Sequence, residues 1–134
     1  MPGSLTIEIP WPDKCLSPNG GRRHHHMKLN RLGKEIETVA WAETIAALDR
    51  KEWLGCGATL HIRGVYRNPA HAESADDDNI IAWMKKPRDG IARALGIDDK
   101  HIQTGNVTKD VDKANPRVVL TIEPHPWSKT QDQG

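Results

Sequence analysis

The chain has 134 residues, 37% of them hydrophobic and 28% charged, with five Trp, one Tyr and no Phe; this suffices for one modest core, and with no internal period or composition break it reads as a single domain. No apolar run approaches the roughly 20 residues that cross a bilayer, and the start, Met1 to Pro10, lacks the basic and long apolar regions of a signal peptide, so a cytoplasmic protein with no membrane partner is expected. A formal charge of +1 neither demands nor excludes a polyanionic partner, which leaves the distribution of charge to decide.

Leu5, Ile7 and Ile9 alternate with Thr6 and Glu8 before Pro10-Trp11-Pro12, the pattern of a first strand stopped by prolines and lying near a sheet edge. From Asp13 to Lys34 there are six bases (Lys14, Arg22, Arg23, Lys28, Arg31, Lys34) against one acid. Because this block also holds Pro18, Asn19, Gly20 and Gly21, it reads as an extended loop able to reach a phosphate backbone, with a plain solvated loop as the alternative. His24, His25 and His26 are expected to be exposed or DNA-facing, since three consecutive imidazoles cannot all meet one ion on a regular element. Cys15 and Cys56 lack metal or redox spacing and are expected to be thiols of no chemical role.

Between Lys34 and Trp53, Ile36, Val39, Ala40, Ala47 and Leu48 recur at threes and fours without Gly or Pro, which predicts an amphipathic helix ended by Gly55 and Gly57. Ala58 to Tyr66 predicts a second strand with Leu60, Ile62 and Val65 inward and His61 on the other face, followed by a polar loop from Arg67 to Ser74. Asp78-Asn79 opens a helical stretch that carries Ile80, Ile81, Met84, Ile91 and Leu95 to a stop at Gly96, with a kink or break expected at Pro87. An Asp98-Asp99 turn, a strand near Asn106 to Val111, an Asn115-Pro116 hairpin and a strand from Arg117 to Glu123 complete the pattern. The fold class expected is α/β (α+β): one small domain, residues 1–124, in the order β-α-β-α-β-β, with a mixed sheet, helices on one face and a disordered tail over 125–134. So small a core also favours association.

Asp76-Asp77-Asp78-Asn79 is the densest acidic patch in the chain. On an extended segment Asp76 and Asp78 would point to one side, as oxygen ligands of a hard cation such as Mg²⁺ do. The competing reading is that Asp78 or Asn79 caps the following helix. Lys85 lies seven positions after Asp78, so a continuous helix returns it to nearly the same face, and Asp98-Asp99 supplies a second carboxylate pair. Carboxylates and a lysine beside a basic block have the composition of metal-assisted phosphodiester hydrolysis.

The opening IEIPWP, the basic block with SPN, the DDDN run, a helix with K-x-x-x-D (Lys85 to Asp89) and a G-I-D-D turn together resemble the RusA-type Holliday junction resolvases, small endodeoxyribonucleases of bacteria and prophages. The resemblance runs from about Leu5 to Glu123, and it is the ordered set of motifs, more than any one of them, that carries it. It implies catalysis by Asp76, Asp78, Asp99 and Lys85, Mg²⁺ held by Asp76, Asp78 and Asp99, a homodimer, and branched four-way DNA as the substrate in recombination and repair. The bases best placed to contact DNA are Arg22, Arg23, Lys28 and Arg31. The sequence departs from the family pattern in three places: the lysine follows Asp78 by seven positions where the family has four, which makes Lys86 a rival to Lys85; Ala75 stands where the family's type member has arginine; and Asp77 replaces an apolar residue. Two other readings remain open: a non-catalytic junction-binding or DNA-binding protein of the same fold, and a small module that docks a protein partner.

Overall fold

The computed structural model describes residues 3–18, 20, 25–48, 53 and 56–126. The order of elements is β1 (Leu5–Ile9), a 3-10 turn (Lys14–Leu16), α1 (His26–Leu48), β2 (Cys56–Tyr66), α2 (Pro69–Ser74), α3 (Asp77–Trp83), α4 (Lys85–Leu95), a second 3-10 turn (Asp99–His101), β3 (Ile102–Val111) and β4 (Arg117–Pro126). The four strands form one mixed sheet in the order β1-β4-β2-β3. β1 is indeed an edge strand, antiparallel to β4 with Ile7 opposite Leu120. The α/β reading of the sequence holds.

Alternation builds the core. Leu5, Ile7 and Ile9 from β1, Leu60 and Ile62 from β2, and Val118, Leu120 and Ile122 from β4 are buried on one side of the sheet. There they meet Ile36 and Ala40 of α1, Ile80 and Met84 around α3, and Ile91 and Leu95 of α4. Removal of this apolar surface from water is the main stabilising term. α1 and α4 cross so closely that a Cβ on Gly90 would lie 2.2 Å from the Glu37 carbonyl oxygen. Beside the crossing, Arg93 pairs with Glu37 at 3.2 Å and lies over the Trp41 ring. On the other side of the sheet, His61 Nδ1 accepts from the Asn106 N–H (3.0 Å) and Nε2 meets Glu123 (2.9 Å). His61 therefore ties β2 to both neighbours at the register shift between Leu60 and Ile62, and is half-buried, not simply exposed. Cys15 and Cys56 are free and buried.

Several expectations from the sequence are corrected. The basic block is not an extended loop throughout: α1 begins at His26, so Lys28, Arg31 and Lys34 are helical. The physical reason is that Leu29, Leu32, Gly33 and Ile36 extend the apolar spacing backward, and the breakers Pro18 to Gly21 lie well before it. Leu48 is the last residue of α1, and Trp53 is a buried core residue outside the helix. The stretch expected as polar loop contains α2, whose start Asn68 caps by accepting from the Ala70 N–H (2.8 Å), with Pro69 at the first helical position. Asn-Pro is an N-cap and a pre-set φ in succession.

The break expected at Pro87 falls at Met84. Pro87 would clash with the carbonyl four residues earlier, that of Trp83, so α3 ends there and Pro87 sits in the first turn of α4, where its missing N–H costs nothing. Gly96, at φ 72°, ends α4 as expected. The Asn115-Pro116 segment is not a hairpin: β3 runs parallel to β2 on one side while β4 pairs antiparallel with β2 on the other. A parallel pair needs a crossover, which α2, α3 and α4 supply. Asp112 organises the passage over the end of β2, its N–H donating to the Tyr66 carbonyl (2.8 Å) and its carboxylate accepting from Ala114 and Asn115. β4 continues through Pro126, beyond the expected end at Glu123, and the expected tail from 127 onward lies outside the described residues.

Candidate active site

The acidic run does not adopt the extended form that the two-residue spacing invited. Asp76 is the N-cap of α3, its Oδ1 accepting from the Asp78 N–H at 2.9 Å, and Asp77 and Asp78 form the first helical turn. Both facts follow from the preference of short carboxylates for the positive end of a helix. The cap is thus Asp76, in place of Asp78 or Asn79. Lys109 reaches across from β3, its Nζ 3.1 Å from Asp77 and donating to the Ala75 carbonyl. Asp77 is neutralised in this way. Asp78 is exposed and its carboxylate has no partner among the described residues.

The break at Met84 removes the continuous helix that would have placed Lys85 above Asp78. Lys85 instead begins α4 and lines a cavity of about 520 Å³ together with Asp89, Arg88, Asp99 and Lys100. Arg88 links the two sides of this cavity: its guanidinium donates to the Ile102 carbonyl at the start of β3. Asp98 caps that turn by accepting from the Lys100 N–H (3.1 Å), and this hydrogen bond is the chief reason its carboxyl is held below the usual carboxylate range. Asp99, the next residue, is exposed at the cavity.

Lys86 takes the opposite direction. Its aliphatic stem lies over Gly33 of α1, where a Cβ would come within 3.1 Å of it. Between the two rival lysines, the structure places Lys85 on a cavity that Asp89 and Asp99 also line and packs Lys86 against α1. Asp89, part of the K-x-x-x-D motif but outside the catalytic set that the resemblance implies, lies four positions after Lys85 and so on the same helix face.

Asp76 lines a second cleft, of about 250 Å³, with Ser17, Tyr66, Asn79 and Trp83. The two spaces lie against α3, Asn79, Ile80 and Trp83 lining one and Ile81 and Ala82 the other. Asp76, Asp78 and Asp99 suit a hard cation in donor chemistry, being exposed oxygen ligands. Among the described residues, however, no three His, Cys, Asp or Glu side chains gather into a group that could hold a metal ion.

Of the bases assigned to DNA, Lys28 and Arg31 are exposed in the first turns of α1, and Arg31 makes a long ion pair with Glu35 (3.9 Å). The Cys15 thiol is pushed up chiefly by its hydrogen bond to Asp13, with Lys28 acting against it, and α1 packs against the Lys14–Leu16 turn. That turn leads into Ser17 and Pro18 at the Asp76 cleft. Arg22, Arg23 and His24 lie outside the described residues; His25 and His26 are exposed, their rings stacked at 4.6 Å.

No model of a known protein family matches the chain. It is similar to an uncharacterized protein of Xylella fastidiosa (strain Temecula1), 34% identical over 122 residues that cover 87% of this chain and 74% of that protein. The chain belongs to that protein's family. No helix among the described residues is long and apolar enough to cross a membrane.

Proposed function

We propose that this protein is a Mg²⁺-dependent, structure-selective endodeoxyribonuclease that resolves four-way DNA junctions by paired nicks, acting in recombination and repair in the cytoplasm of a bacterial or phage-infected cell. The observation that carries the reading is the convergence of Lys85, Asp89 and Asp99 on one cavity beside the helix whose N-terminal end bears Asp76 and Asp78. It joins the resemblance of the ordered motifs to the RusA-type resolvases.

In this reading the Lys85 ammonium is a fixed positive charge at the scissile phosphate, stabilising the extra negative charge of the transition state. Asp76, Asp78 and Asp99 would hold Mg²⁺, which when bound activates a water and stabilises the leaving 3′ oxygen. The reading therefore requires these three carboxylates to converge as the cation binds. Asp77, held by Lys109, takes no part. Lys28 and Arg31, with Arg22 and Arg23, bind the phosphate backbone without reading sequence. A homodimer with two-fold symmetry would present two such sites to opposed strands of a junction.

The second reading, a junction-binding protein without catalysis, is favoured by the structural roles of the acids, Asp76 capping α3 and Asp77 paired with Lys109. Incubation of a labelled four-way junction with the protein and Mg²⁺ separates the two. Symmetric nicks support the nuclease, and tight binding without products supports the binder.

A further inference from the structure

Next to the acidic residues lies an aromatic surface that the proposed chemistry does not use. Trp11 stands between Tyr66 and Trp83, with ring centroids 4.7 Å and 5.1 Å away and the planes tilted. All three rings are only half-buried. Both indole N–H groups are already occupied: Trp11 Nε1 donates to the Val65 carbonyl (2.9 Å) and Trp83 Nε1 to the Asp13 carbonyl (3.1 Å). The rings are therefore pinned in place and present π surface to whatever enters. They border a cleft of about 690 Å³, within the roughly 300–1,000 Å³ typical of small-ligand sites.

Two bases stand on the rim of this cleft. Lys14 and Arg67 line it beside His71, all exposed. One acid lines it, Asp13, whose Oδ1 caps the Lys14–Leu16 turn by accepting from the Cys15 N–H (2.9 Å). Fixed aromatic faces bordered by cations match a nucleobase with its phosphates, whereas a purely apolar ligand would gain nothing from the rim. Position supports the same occupant. Tyr66 and Trp83 line both this cleft and the smaller one that contains Asp76, so a base held by the aromatic rings leaves its own phosphodiester close to the acidic end of α3.

We propose that the Trp11–Tyr66–Trp83 cleft is a binding site for one unstacked nucleotide of the DNA, which it holds by its base while Lys14 and Arg67 hold the flanking phosphates. The inference rests on the reading of the chain as a DNA nuclease, and it narrows the substrate to DNA with an unpaired or extruded base, as at a branch point. Such a site selects structure without reading sequence, because every base has a π face.

The probe is a short single-stranded oligodeoxynucleotide carrying one 5-iododeoxyuridine, irradiated with the full chain and mapped by mass spectrometry. Crosslinks to Trp11, Tyr66 or Trp83 are expected. A fully abasic strand of the same length should bind about tenfold more weakly or worse, since each lost base–aromatic stack removes a factor of that order. Trp83→Leu should weaken the base-bearing strand alone, and Tyr66→Phe, which keeps the ring, should bind like the unaltered protein. Equal affinity for abasic and base-bearing strands, crosslinks confined to α1, or no binding of either strand would overturn the inference. Because these binding and crosslinking readings are made without Mg²⁺, they are independent of cleavage. Junction nicking with base-indifferent binding sinks the cleft alone, and base-dependent binding without nicking sinks the nuclease alone.

Discussion

Lys85 and Asp99 line one cavity, although one opens α4 and the other opens the turn beyond its end. Lys86, adjacent to Lys85, lies instead along Gly33 of α1. If Lys85 is the charge that stabilises the transition state, Lys85→Ala should slow junction cleavage by about 10²–10³-fold, the usual consequence of deleting one preorganised stabilising group. Lys86→Ala should leave the rate within a few-fold. Single-turnover cleavage measures both, and the reverse order of effects would assign the role to Lys86.

Asp76 does two things in this account, and substitution can separate them. As N-cap of α3 it accepts the Asp78 N–H, and asparagine caps about as well as aspartate whereas alanine costs about 1 kcal/mol. Asp76→Asn should therefore keep its stability in urea and lose Mg²⁺-dependent cleavage, while Asp76→Ala loses both. Asp78→Asn should lose cleavage alone. A fully active Asp76→Asn protein would show that this carboxylate is only a cap.

What the sequence disclosed was local. Strict alternation located β1 and the buried side of β2, and Gly96 marked the end of α4, because period and backbone conformation are written in neighbouring residues. The chain turns just before Asn115-Pro116, where the Asn115 N–H donates to the Asp112 carbonyl, but the flanking strands pair elsewhere, since strand partners are chosen by burial over the whole chain. Asn68-Pro69 held a readable cap for α2 that a polar composition concealed. At the site, the residue types were legible and their grouping was not. The shared cavity of Lys85 and Asp99 goes with the Met84 break and with the Arg88 hydrogen bond to the Ile102 carbonyl. Neither is a spacing rule. The aromatic cleft was still less visible, for Trp11, Tyr66 and Trp83 come from three distant parts of the chain.

Binding should carry the mark of α1. Lys28 and Arg31 are exposed on its first turns, and each phosphate contact contributes about 0.9 to the slope of log affinity against log salt. The Lys28→Ala/Arg31→Ala double variant should lower the slope for a four-way junction by about 2, measured by fluorescence anisotropy over a salt series. An unchanged slope would move the DNA path away from α1.

Acid should loosen the β2–β3 pairing. Asp110 is held below its ordinary value of 3.8, first by the hydrogen bond from the Arg63 side chain and then by the Val111 N–H. A depressed carboxylate contributes stability that is present above the unfolded value and is lost as pH falls through the lower, folded one. Denaturation midpoints measured from pH 6 downward should therefore decline below pH 3.8, and Asp110→Asn should flatten that part of the decline. Parallel curves for the two proteins would show that this pair contributes nothing to acid sensitivity.

The most direct test of the whole account is cleavage of an end-labelled four-way junction in Mg²⁺ by the unaltered protein, run beside Asp78→Asn and beside a linear duplex of the same sequence. Symmetric nicks in the junction alone, made by the unaltered protein and abolished in Asp78→Asn, are the predicted result. Tight and equal junction binding by both proteins, with no product from either, would contradict it and leave a protein that recognises branched DNA without cutting it.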